Sequence, residues 1–353
     1  MAKQMKNISQ GPIFLILGLA VLSVVVVFFL NGCSQQDASS KKTVVVYVSE
    51  DQVFSEPILA DFERKTGIKV RALFDTEEAK STGVMNRLLA EKRNPQADVY
   101  WANEPIRAQI LKDKGIAAPY LSKNAKGIPA TFKDPEGYWT GFSARARVLI
   151  VNAKVQDNPR SVMDFVSPKW KGRAVIANPL FGTTTAHIAA LFTVLGDEQA
   201  KRFMEKMKAN RVAVSTSNGE SADFVASGRY DFSLVDSDDA VNRIKQGRSV
   251  RMVYPDQEEG GLGCFIVPNV VVLIKGGPHP KEAKKLIDYL LSKEVEKRLA
   301  FADCAQIPLH QGVEMPSWLR SLDQIRIMKV DYGQVAKKML EIQPLLKEWV
   351  GLK

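Results

Sequence analysis

The sequence predicts an α/β protein of two lobes, each a mainly parallel sheet flanked by helices, with a hinge of two crossing strands. Three observations carry that prediction. Short apolar runs alternate with amphipathic segments from Thr43 onward, and the pattern resumes after a bridge near residue 141. Two unusually long apolar runs, near 141–152 and 262–274, then lie where the chain would cross between halves. At 353 residues the chain is long enough for one large core or two domain-sized ones.

The elements follow in order. TVVVYV (43–48) reads as a strand and SEPILADFERKTG as a helix, with Ile58, Leu59 and Phe62 on one face and Gly67 as its stop. IKVRALF (68–74) is the next strand, and STGVMNRLLAEKRNP presents Met85, Leu88 and Leu89 on one side with Pro95 beyond its end. ADVYWA (97–102) and EPIRAQILKDKG repeat the unit, Pro105 suiting a first helical turn and Gly115 a C-terminal cap. After GFSARARVLIVN (141–152) come the strands RAVIANP (173–179), RVAVSTS (211–217) and YDFSLVD (230–236), with helical stretches between them. The run over 260–277 is another long strand region, and PKEAKKLIDYLLSKEVEKRLAFA is expected to form one amphipathic helix.

The first 33 residues read differently. Lys3 and Lys6 precede a predominantly apolar run over 13–30 that ends in LNGCSQQDASSKK, the layout of an export signal. Leu30-Asn31-Gly32-Cys33 resembles a lipobox, in which the cysteine is acylated and becomes the mature N-terminus. The same run is long enough to stay as a membrane anchor. Either way the body is expected on the periplasmic side of the cell membrane, lipid-anchored through Cys33 in the first case and tethered by 34–42. Residues 43–145 with 267–310 are expected to form one lobe, and 146–266 with 311–353 the other.

Net charge is +10, and loss of Lys3 and Lys6 with a leader leaves +8. The basic residues are mixed with acids along amphipathic helices and form no cluster interleaved with aromatics, so nucleic acid is not an expected partner. Three histidines with no pair at metal spacing, and no cysteine cluster, give zinc no support. Cys264 and Cys304 can pair only if the fold brings them together.

In open α/β sheets ligands bind beyond the carboxyl ends of the strands. Here those ends are polar throughout: Ser49-Glu50-Asp51, then Asp75-Thr76-Glu77-Glu78, then Asn103-Glu104. The second half adds Asn178, Gly182-Thr183-Thr184-Thr185, Ser217-Asn218-Gly219-Glu220 and Asp236-Ser237-Asp238-Asp239. Asp236 and Asp239 are spaced as an N-cap and its capping-box partner, which leaves Asp238 in excess and marks the group as a ligand wall. Gly182 and the threonines open a helix whose free N–H groups favour an anion. His187, about a turn further on, is expected to be packed or hydrogen-bonded. Trp101, Tyr138, Trp139 and Phe181 lie near the same strand ends, where they either stack on an organic cation or pack in the core.

These blocks, together with VVVYVSED, YWTGFSARARVLIVN, NPLFGTTTAHIAALF and VPNVVVLIKGGPHP, resemble solute-binding proteins of bacterial ABC importers, in the branch that includes ferric-iron-binding proteins. The likeness runs from residue 43 to about 309. It implies a type II periplasmic-binding-protein fold that closes on a small solute and delivers it to an inner-membrane permease, the receptor itself acting as a monomer. It implies ligand positions at Glu50, Asp51, Asn103 and Glu104 in the first lobe, and an anion-holding turn at Thr183, Thr184 and Asn218. Ferric binders hold the metal with two adjacent tyrosines, and this chain has Asp238-Asp239 there, next to Asp236. The expected metal donors are therefore Asp238, Asp239 and Glu104, with no resident cofactor beyond a captured metal ion and a synergistic anion. Fe³⁺, Fe²⁺ and Mn²⁺ all accept such oxygen donors. Carboxylates equally suit the ammonium of a phosphonate-like zwitterion, a polyamine or a thiamine-like cation. A more distant alternative is a Mg-dependent enzyme using the D-x-D-D stretch, but no G-x-S-x-G elbow, phosphate loop or Cys/His pair accompanies it.

Overall fold

A computed structural model describes residues 42–75 and 81–352. The apolar run at 13–30, Cys33, nearly all of the tether, and Thr76, Glu77 and Glu78 lie outside the described residues. Among those described, no helix is long and apolar enough to cross a membrane.

The first half is built on β1 (Thr43–Val48), which pairs in parallel with β2 (Lys69–Phe74) on one side and β3 (Val99–Ala102) on the other. Helices α1 (Gln52–Thr66), α2 (Thr82–Ala90) and α3 (Pro105–Asp113) supply the crossovers. Ile58, Leu59 and Phe62 are buried as their spacing predicts, and Gly67 closes α1 in the left-handed conformation with φ 67°. A two-residue strand, β4 (Ala117–Ala118), leads toward β5 (Thr140–Asn152).

β5 joins the halves. Its residues 140–146 pair antiparallel with β10 (Ile266–Ile274), and from Arg147 onward it pairs with β8 (Phe232–Asp236). Every residue of β5 and β10 is buried. The second half adds β6 (Ala174–Ala177), α4 (Gly182–Leu195), α5 (Asp197–Ala209), β7 (Ala213–Ser215), α6 (Asn218–Ala226), α7 (Ser237–Lys245) and β9 (Val250–Val253). Sheet order is β2-β1-β3-β10-β5-β8-β6-β7, with β4 beside β10 and β9 beside β5. The pairs β1–β2, β1–β3, β6–β7 and β6–β8 are parallel, as the strand–helix alternation predicts, while the central hinge strands are antiparallel.

The segment expected to be one helix after β10 is two, α8 (Pro280–Leu290) and α9 (Lys293–Phe301). Ser292 makes the break: its hydroxyl accepts the Val295 N–H and caps α9. Ser292→Ala should lower stability by about 1 kcal/mol, read from the urea midpoint. Helix α10 (Tyr332–Glu341) packs on both α3 and α4, and so touches both halves, before α11 (Gln343–Trp349). Cys264 and Cys304 are both buried and free, so they form no disulfide.

Candidate ligand-binding cleft

The carboxyl ends of the strands from both halves converge on a cavity of about 410 Å³. Asp51 and Asn103 line it from the first half, and Asn178, Phe181 to Thr184, Thr216 to Glu220, Asp236, Asp238 and Asp239 from the second. Six carboxylates (Asp51, Glu220, Asp223, Asp236, Asp238, Asp239) and two guanidinium groups (Arg145, Arg243) border this space. Arg243 is turned to Asp223, 3.0 Å away, so the remaining field in the cleft is strongly negative.

Two arginines of β5 organise the acids. Arg145 and Arg147 are separated by one residue and therefore project to one side of the strand, and both are buried. Arg147 reaches Asp236 Oδ1 at 3.0 Å and donates to Thr183 Oγ1 (3.0 Å), Thr184 Oγ1 (3.2 Å) and the Leu234 carbonyl (3.1 Å). Arg145 donates to the Asn103 carbonyl. Its Nη1 lies 3.8 Å from both Glu50 Oε2 and Asp236 Oδ2, and 3.9 Å from Asp238 Oδ2. Burial works against charge on Arg145, but Glu50, Asp236, Asp238 and Asp51 together hold it firmly protonated. For Asp236, burial would raise the carboxyl, yet Arg147 and then Arg145, with the Thr183 hydrogen bond, hold it below the ordinary carboxylate range.

Asp236 thus occupies the N-cap position of α7 without capping it. Its side chain makes no cap hydrogen bond and instead accepts from Thr183 Oγ1 at 2.8 Å. The capping reading of Asp236 is corrected: a buried guanidinium competes better for a carboxylate than a backbone N–H does. Ligand oxygens of Asp236, Asp238 and Asp239 lie within 4.8 Å of one another. Asp238 Oδ1 accepts the Asp239 N–H at 3.0 Å, which fixes the turn.

The other expected site residues divide. Thr183, Thr184 and Asn218 line the cleft, but the two hydroxyls are engaged with Arg147, Asp236 and Asn218. What α4 offers an anion is its first-turn N–H groups, since no side chain caps the helix. Glu50 is buried behind the cleft, where it accepts from Gln306 at 2.9 Å. Glu104, expected among the metal donors, does not line the cleft. Its carboxylate caps α3 through the Ile106 and Arg107 N–H groups and pairs with the Arg107 guanidinium at 3.1 Å. Of the four aromatics only Phe181 borders the cavity. Trp101 is sealed in the core and bonded to Asn269, Trp139 to Gln109, and Tyr138 carries Lys112 over its ring. His187 is packed against Phe265, and neither ring nitrogen has a hydrogen-bond partner among the described residues. Burial and then Arg147 push its pKa down to about 3, so it is neutral at any working pH.

Sequence reasoning did not single out Arg145 and Arg147. The signal was available: two charges within a long, mostly apolar strand must be met by acids, because unpaired buried charge is prohibitively unfavourable.

The model of a known family, described as bacterial extracellular solute-binding protein, matches residues 97–324. The chain belongs to this family. Among its relatives is the iron uptake protein A1 of Synechocystis, 28% identical over 342 residues, covering 89% of this chain and 93% of that protein. A putative 2-aminoethylphosphonate-binding periplasmic protein of Salmonella typhimurium is 27% identical over 242 residues, covering 68% and 69%. A solved structure of a Trichodesmium protein in complex with iron and citrate superposes with a TM-score of 0.74 at 25% identity, covering 88% of this chain and all of that one. Membership makes the protein a two-lobed extracellular solute-binding receptor and not an enzyme.

Proposed function

We propose that the receptor captures a hard cation together with an oxyanion, ferric iron being the leading candidate. The observation that carries this reading is the trio Asp236, Asp238 and Asp239, with ligand oxygens within 4.8 Å, facing Asp51 across the cleft. Oxygen-only donors suit Fe³⁺ or Mn²⁺ and disfavour softer metals. Because Asp236 is committed to Arg147, Asp238 and Asp239 are the donors, with Asp51 closing from the other lobe. An anion would lie at the N-terminus of α4, near the Arg145 guanidinium. A bare ion fills little of a 410 Å³ cavity, which favours the accompanied form. The Synechocystis and Trichodesmium proteins support the iron reading.

One observation favours a second cargo. Arg145 already places positive charge within 4 Å of two of these acids, which lowers the attraction for a trivalent ion and suits a zwitterion such as an aminoalkylphosphonate. The Salmonella relative supports that alternative. In both readings 43–145 with 267–310 and 146–266 with 311–353 act as the closing lobes, a division supported by the change of partner along β5 after Ala146. Delivery is to an ABC permease, with the body tethered through an acylated Cys33.

A thermal-shift panel tests the reading, since a ligand that binds only the native state raises Tm. Ferric citrate should raise Tm by several degrees and a chelator should reverse it. A shift with 2-aminoethylphosphonate alone would move the assignment to the zwitterion, and no shift with either would remove both.

A further inference from the structure

A second buried ionic group lies behind the cleft, on the hinge itself. The register between β5 and β10 shifts at Pro268/Asn269, so that Ser143 is left without a partner across the ladder. Its φ is 39°, in the left-handed region that non-glycine residues seldom adopt. Two contacts hold it there: its N–H donates to Glu296 Oε1 at 2.9 Å, and its carbonyl accepts from Asn269 Nδ2 at 3.2 Å. Glu296, on α9, is fully buried and also accepts the N–H groups of Leu309 (2.8 Å) and His310 (3.0 Å).

His310 completes the group. Its Nδ1 is 2.8 Å from Glu296 Oε2 and its Nε2 is 2.8 Å from the Asn124 carbonyl. A carbonyl oxygen only accepts, and so does an ionised carboxylate already receiving three N–H groups. Both ring nitrogens must therefore donate, and the ring is an imidazolium. The same network continues to the cleft: Asn269 Nδ2 donates to Gln306 Oε1 (2.6 Å), and Gln306 Nε2 donates to Glu50 Oε1 (2.9 Å). Glu50 Oε2 is 3.8 Å from Arg145.

We propose that Glu296 and His310 form a charge-dependent clamp that holds the hinge strand in its bulged geometry, and that deprotonation of His310 loosens it. The proposal does not depend on which solute the cleft takes. Other charged groups bear on the ring. Lys293, on the same helix as Glu296, works against its charge, and Asp323, Arg326, Lys329 and Asp331 line the groove that His310 borders. Burial is the strongest single influence and also disfavours the charge, but the hydrogen bond to Glu296, its negative charge and the Asn124 carbonyl together raise the ring above its ordinary range. The clamp is thus complete below about pH 6.5 and is lost as pH rises through the higher folded-state value. Burial would raise Glu296, but His310 and the Ser143 and Leu309 N–H groups hold it low, so the acid limb lies below the ordinary carboxylate range.

The test is a pH series on the full chain in detergent, following the ring ¹⁵N signals of its three histidines and the exchange protection of the Ser143 and Leu309 amides. At pH 7.5 a histidine with ordinary pKa is roughly ten parts neutral to one charged. The His310 ring should show a clearly smaller neutral fraction, and amide protection should fall as it titrates. Glu296→Gln keeps an acceptor for Ser143 but removes the charge, and should bring His310 down to or below the peptide value and flatten the pH dependence of protection. His310 titrating like an unstructured histidine in the native chain, or Ser143 protection unchanged through its titration, would overturn the clamp. The wild-type series decides the matter even if the variant does not fold.

Discussion

Replacing Asp238 and Asp239 together with asparagine is expected to remove solute binding while leaving the fold standing. Truncating one partner of a desolvated charge contact costs about 2–5 kcal/mol, so the pair should weaken affinity at least ~30-fold and in practice beyond detection. Asparagine retains the oxygen that accepts the Asp239 N–H, so the turn that opens α7 survives. Relief of like-charge repulsion on one wall is set against the loss of Asp238 as one of several acids around the buried Arg145, hence the melting temperature in the absence of solute should move by only a few degrees. Calorimetric titration with ferric citrate, beside a melting curve, separates the two effects. Wild-type affinity in the double variant would reduce these acids to ornaments of a helix start.

Arg147→Met should have the opposite profile, a large loss of stability. The guanidinium is fully buried and joins β5 to Asp236, to both threonines that open α4 and to the Leu234 carbonyl. Removing it strands the Asp236 carboxylate in the interior, a change that typically costs 3–5 kcal/mol. Urea unfolding measures this directly. Adding Asp236→Leu should recover a good part of the loss, because an apolar pair of similar volume is often no worse than a buried ion pair. A single variant within ~1 kcal/mol of wild type would mean that Asp236 relaxes to water, and that the cleft floor is wetter than its burial indicates.

These two variants mark where sequence reading succeeded and where it stopped. Period-2 and period-3.6 apolar patterns located the principal strands and their crossover helices, because burial of one face dominates local choice. The rule that strand ends bear the ligand then pointed to Asp51, Asn103, Asp238 and Asp239, all of which line the cavity. It could not tell Asp51 from its neighbour Glu50, or Asn103 from Glu104, since adjacent residues at a turn differ only in where the backbone aims them. Glu104 went to a helix cap and Glu50 behind the floor. Arg145 and Arg147 were hidden because the apolar run around them reads as hinge, and their counter-charges lie about ninety positions away in sequence. Short strands such as β4 exist through pairing with β10, and two alanines carry no pattern of their own.

The central claim is that two rigid halves shut around a solute held by acids on both walls, and small-angle scattering tests it most directly. With saturating ferric citrate, or with 2-aminoethylphosphonate if that is what raises the melting point, the radius of gyration should fall as the lobes close. An unchanged scattering profile in the presence of a solute that calorimetry shows to be bound would contradict it.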